Sequence, residues 1–167
     1  GDVMSLLDAR INAGEKYDVV CLNNVLEHLV DPPALLQQLH GLLKADSVVV
    51  ITVPNDFSLY QQYLLEAGHI DAPFWIALPD HLAYFDCDSL VALSNATGWT
   101  CHDILADFPI DWFLLHPGSN YVRDRSLGPP AHQARIEFEN LLANQSVDKV
   151  NAYYSAMSQV GLGRNNT

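Results

Sequence analysis

The clearest pattern in the chain is two short apolar runs separated by a stretch of helical period. Residues 17–22 ("YDVVCL") form the first run; its lack of strict alternation predicts a strand buried on both faces, as in a helix-covered parallel sheet. Asp31 then offers an N-cap, and Pro32 suits the first helical position. Behind them Leu35, Leu36, Leu39, Leu42 and Leu43 recur at a spacing that places them on one helix face. "ADS" turns the chain into the second run, residues 48–53, which Pro54 closes. A strand, a helix and a parallel strand predict a βαβ unit with a right-handed crossover.

Further along, a helix is expected over residues 58–67, stopped by Gly68, and another over residues 88–97, stopped by Gly98. Between them lies "HIDAPFWIALPDHLAYF", a loop dense in proline and aromatic residues. Two strand candidates, residues 100–106 and 112–116, are separated by "DFPID", which is short enough for a hairpin. Amphipathic helices over residues 130–143 and 147–160 complete an α/β pattern without repeats.

Composition narrows the partners. A chain of 167 residues has the length of one domain and buries roughly 70% of its unfolded surface. With 49% hydrophobic and 17% charged residues it is too apolar for disorder. The net charge of −12, with only 8 Lys and Arg and no basic stripe, argues against a nucleic-acid partner. The run "VVVITVP" is too short to span a bilayer, and no signal-peptide pattern opens the chain, so no membrane partner is expected. Cys21, Cys87 and Cys101 show no C-x-x-C spacing and leave one thiol over in any pairing, which suits a reducing cytoplasm.

The chemistry-bearing stretch is "LNNVLEHLVDPP". If a helix begins soon after Leu22, then Asn24, Glu27 and His28 share one face, where they could simply cap the loop or converge on a ligand. The wider stretch "YDVVCLNNVLEHLVDPPALLQQLHGLLKADSVVVITVPN" resembles the segment from the fourth to the fifth strand of class I S-adenosylmethionine-dependent methyltransferases, in particular the ubiquinone-type branch. "DHLAYFDCDSLVALSNATGW" resembles the later His-containing loop, helix and Gly-Trp turn of the same family, so the likeness covers about residues 15–116.

The resemblance implies the second half of a Rossmann-like methyltransferase sheet, strands four to seven with the last pair antiparallel. Residues 1–116 would be the C-terminal part of the methyltransferase domain, and residues 117–167 a helical extension. It implies S-adenosylmethionine as cofactor, with Asp2 and Val3 at the adenine and Asn23 beside the cofactor. No glycine-rich cofactor loop occurs in the 167 residues, so the chain is expected to be a fragment without that half. The run 17–22 would then be a bare sheet edge lacking proline, internal lysine or bulge glycine, and a homodimer through that edge is expected.

Relatives that use a metal place Glu-x-x-Glu-His and a later histidine around a divalent ion. The matching positions here are Asn24, Glu27, His28 and His81. Asn24 removes one carboxylate, which leaves Glu27, His28 and His81 as a ligand set better suited to Mn²⁺, Fe²⁺ or Zn²⁺ than to Mg²⁺. Without a metal, His81 suits the role of general base. The expected function is O-methylation of a small hydroxylated metabolite or sugar. The alternatives are a non-catalytic methyltransferase-like scaffold, favoured by Asn24, and a metal-dependent RNA 2′-O-methyltransferase, disfavoured by the charge.

Overall fold

Asp31 and Pro32 start the helix that organises the core. In the computed structural model, which describes residues 3–163 and 165–167, the Asp31 carboxylate accepts the Ala34 amide at 3.0 Å and opens α2 (Pro32–Leu39). Leu35, Leu36 and Leu39 are fully buried on its core face, while Leu42 lies buried in the turn that follows and Leu43 already begins the next strand, so neither belongs to the helix face expected for them. Each such leucine contributes about 1.5–3 kcal/mol of burial.

β1 (Tyr17–Asn23) and β2 (Leu43–Pro54) pair in parallel across this helix. β2 begins five residues earlier than its apolar run, because Leu43 already pairs with Tyr17. The register then slips so that Val48 faces Val19, and Asp46 takes up the extra length at a left-handed φ of 61°. The "ADS" turn is therefore a bulge inside one strand.

The main core gathers Leu22, Leu26, the α2 leucines, Val53, Phe85 and Leu90. α1 (Val3–Asn12) packs against it through Val3, Met4, Leu7 and Ile11. α4 (Cys87–Ala96) closes another side, capped by Asp86, which accepts from the Ser89 amide and hydroxyl while Ser89 accepts the Asp86 amide. α3 (Leu59–Glu66) begins at its Ser58 cap and anchors a second cluster of Leu64, Ile70, Trp75 and Leu114. Gly68 and Gly98, at φ 72° and 86°, end α3 and α4 in the left-handed conformation that a glycine accepts freely.

Three expectations give way here. β1 is covered on one face only: Val20 and Leu22 turn to the core, while Val19 is 54% exposed, because no described helix lies over the other face. Residues 112–116 are not a strand. Residues 112–115 lie in a 3₁₀ helix (Ile110–Leu115), with His116 just past its end; the three-residue period turns Asp111 and Leu114 inward together, and Asn120 takes the Leu114 carbonyl that a strand would have spent on a ladder. Residues 100–106 form no strand and pair only at Leu105 and Ala106, so the expected hairpin is absent. The antiparallel partner of β2 is instead β3 (Asn165–Asn166), giving the sheet order β1-β2-β3. α5 (Gly128–Ala143) and α6 (Val147–Gln159) form the helical tail. Among the described residues no helix is long and apolar enough to cross a membrane.

Candidate functional site

The site is assembled where β1 stops. Asn23 is the last residue of the strand and pairs with Thr52, so its exposed side chain stands at the carboxyl end of the sheet. Asn24 donates its amide to the Thr52 carbonyl at 2.8 Å and adopts a left-handed φ of 51°. That conformation breaks strand direction and excludes a helix starting at Asn24, so the expected shared helix face does not form. A single 3₁₀ turn, Leu26–His28, follows instead, with Leu26 and Glu27 buried.

Glu27 has two roles in this turn. Its carbonyl accepts the amides of Leu82 (2.7 Å) and Ala83 (3.1 Å), which ties the aromatic loop to the end of β1. Its carboxylate is fully buried, and neither oxygen has a hydrogen-bond donor. Burying such a group without a partner costs several kcal/mol, a cost that structure alone does not repay.

The tether brings His81 in. Its amide is held by the Ala77 carbonyl at 2.9 Å, and its ring meets that of His28 edge-on, with centroids 5.0 Å apart at 77°. His28 Nδ1 lies 2.7 Å from the Asp80 carbonyl, which can only accept, so Nδ1 carries the proton. In the neutral ring Nε2 is then left with a free lone pair, 3.8 Å from Glu27 Oε1. His81 Nδ1 is buried without a hydrogen-bond partner. Ligating atoms of Glu27, His28 and His81 all lie within 4.8 Å of one another. Two ligands of one ion at about 2.2 Å each stand no more than about 4.4 Å apart. The group is thus slightly more open than a closed metal site, and its donor set of two imidazoles and one carboxylate suits a borderline divalent ion.

The other sequence candidates are placed as follows. Asp2 lies outside the described residues. Val3 sits at the start of α1, partly buried against the main core. Of the aromatic loop, Trp75 and Phe85 are core residues, Phe74 packs beside Trp75, and Tyr84 stands 6.1 Å from the His81 ring.

Sequence reasoning missed Phe57. Its φ of 55° is unusual for a bulky residue, and its ring stands edge-on to Trp75 at 6.0 Å and to Tyr84 at 5.8 Å. Left-handed backbone at an aromatic residue has no signature in residue order. The buried hydroxyl of Tyr84 and the indole N–H of Trp75 also lack partners.

A parallel strand thus ends at a polar turn with a buried acid and two histidines at its carboxyl end, the place where open α/β sheets bind ligands. A family model described as a methyltransferase domain matches residues 5–104, well over half of the chain. The chain belongs to this family of methyltransferase domains. The matched stretch includes β1, the Glu27–His28 turn and His81, and leaves α5 and α6 outside. No curated protein is significantly similar to the chain.

Proposed function

We propose that this domain serves S-adenosylmethionine-dependent methylation of a hydroxyl oxygen on a small metabolite or sugar. The observation that carries the reading is the buried, donor-free carboxylate of Glu27 grouped with His28 and His81 at the carboxyl end of β1. The cofactor supplies an electrophilic methyl group on a sulfonium, so the protein has only to align the acceptor oxygen and remove its proton. In this scheme Asn23 contacts the cofactor from the strand end and His81 takes the hydroxyl proton on a ring nitrogen. The oxygen then bonds to the methyl carbon as the carbon–sulfur bond breaks. Phe57 and Tyr84 line the approach to His81.

The same three side chains would hold a divalent ion, which would bind the acceptor's hydroxyl and lower its pKa. His81 then acts as a ligand, and the acidified hydroxyl needs no strong base. Adding Mn²⁺ to the protein separates the two versions: a rise in melting temperature that His81→Ala abolishes supports the metal. The net charge of −12 favours a small acceptor over RNA, and the three free thiols suit a reducing compartment. We also propose that the free edge of β1 pairs with that of a second copy, so that light scattering gives about twice 18.5 kDa.

Methyl transfer from labelled S-adenosylmethionine by the full-length protein, over a panel of hydroxylated metabolites and sugars, tests the main reading. Transfer that His81→Ala removes supports it. Cofactor binding without transfer to any acceptor points to the scaffold reading, which the exposed Asn24 in place of a carboxylate favours.

A further inference from the structure

The chain leaving β2 inverts the usual order of burial. After Pro54, Asp56 and Ser58 are turned inward at 1% and 7% exposure, whereas Phe57 between them is 45% exposed. An aspartate inside and an aromatic ring outside is an arrangement that hydrophobic burial alone does not produce. Phe57 also holds its φ of 55°, a left-handed conformation that is costly for a bulky residue.

Its neighbours keep it there. The Asp56 amide donates to the Phe85 carbonyl at 2.7 Å, and Gln62 Nε2 donates to the Phe57 carbonyl. Ser58 caps α3 by accepting the Gln61 amide on its hydroxyl. Gln62 occupies the place where an apolar residue would staple Phe57 to the helix, so the cap does not explain the ring.

Position gives the ring a use. It follows the carboxyl end of β2, beside the end of β1 that carries the Glu27 turn. Rings lead from it to the proposed base: Phe57 to Tyr84 at 5.8 Å, then Tyr84 to His81 at 6.1 Å. Tyr84 and Trp75 meet Phe57 at 65° and 82°, so neither ring is stacked flat against it.

Resting on the methyl-transfer reading, we infer that Phe57 is the platform of the acceptor site and that the acceptor carries a pyranose ring. A pyranose has a face of C–H groups and a rim of hydroxyls. Its slightly positive C–H groups suit the negative face of an aromatic ring, and a rim hydroxyl reaches toward His81. Phe57 is then a specificity-determining residue, which favours cyclic sugars over acyclic alcohols.

The test uses the full-length protein and saturation-transfer NMR with the methyl glycosides of glucose, galactose, mannose and rhamnose, beside phenol and glycerol. At least one glycoside should bind at millimolar concentration, with transfer strongest to the protons of its C–H face. Phe57→Gly suits the left-handed backbone and should keep or raise the melting temperature. It should nevertheless weaken glycoside binding about fivefold. Phe57→Trp keeps an aromatic face and should hold the affinity within about twofold of the parent. Glycoside binding that Phe57→Gly leaves intact overturns the inference, as does binding of phenol and of no glycoside. Failure of every probe to bind overturns it too. Glycoside binding that Phe57→Gly weakens but that no methylation follows sinks the proposed reaction and leaves the platform standing. Methylation of glycerol in preference to every glycoside does the opposite.

Discussion

Two buried acids, Glu27 and Asp111, are treated in opposite ways. Asp111 is 3% exposed and accepts the Tyr121 hydroxyl, and beside it Asn120 is fully used. Its amide nitrogen donates to the carbonyls of His69 and Leu114, and its oxygen accepts the Arg123 amide. Glu27 is equally buried, yet its carboxylate has no donor, and His81 Nδ1 beside it has none either. Asp111 and Asn120 have partners within the chain, as buried polar groups of a fold usually do, whereas the Glu27 carboxylate and His81 Nδ1 have none. The first region is structural and the second is the one proposed to do chemistry.

Mutations can break this contrast. The largest effect is expected at His81→Ala: a fall in turnover of about 10²–10⁴-fold, the usual worth of a positioned acid or base, with little change in melting temperature. Loss of folding with turnover per folded molecule intact would move His81 to the structural side. Next comes Glu27→Gln, which replaces one buried carboxyl oxygen by an amide nitrogen without changing the side chain's shape. Turnover should fall more than tenfold while stability stays level or rises, as measured by urea denaturation. A clear loss of stability would mean that the carboxylate is satisfied in solution.

Asp111→Ala should do the reverse. Removing the acceptor of Tyr121 costs about 1–3 kcal/mol, or a drop of several degrees in melting temperature, with no change in turnover of the folded protein. The smallest effect is expected at Asp86, a carboxylate with complete partners near the surface. The Ser89 hydroxyl and amide hold its carboxyl below the ordinary value of 3.8. A folded pKa lower than the unfolded one adds stability above the unfolded value and loses it as pH falls through the folded one. Asp86→Ala should therefore cost about 1 kcal/mol at pH 7 and much less at pH 2. An equal cost at both pH values would show that the cap acts by shape alone.

The contrast was only half visible in residue order. Glu27, His28 and His81 could be named as a set, since Glu27 and His28 adjoin the end of a recognisable strand. Their convergence depends on Glu27's own carbonyl binding the amides of Leu82 and Ala83, more than fifty residues away, and backbone amides are alike in every residue. Asp111 and Asn120 carried no signal at all: their partners are a tyrosine, two carbonyls and one amide, set by how the 3₁₀ helix lies against α3.

What the sequence determined by itself is local. The apolar run of β1, the Asp31–Pro32 start of α2, the leucine face, the Ser58 cap and the stops at Gly68 and Gly98 follow from patterning and backbone preference within a few residues. What only the tertiary structure decided is pairing and coverage. Residues 100–106 have the composition of a strand but pair only where Asn165–Thr167 reach them. Residues 112–116 have it too and coil, because Leu114 gains a buried site under α3 by turning inward. β1 reads as a strand buried on both faces and is covered on one, since a strand's own side chains state what should be covered and not whether a neighbour is there to cover it.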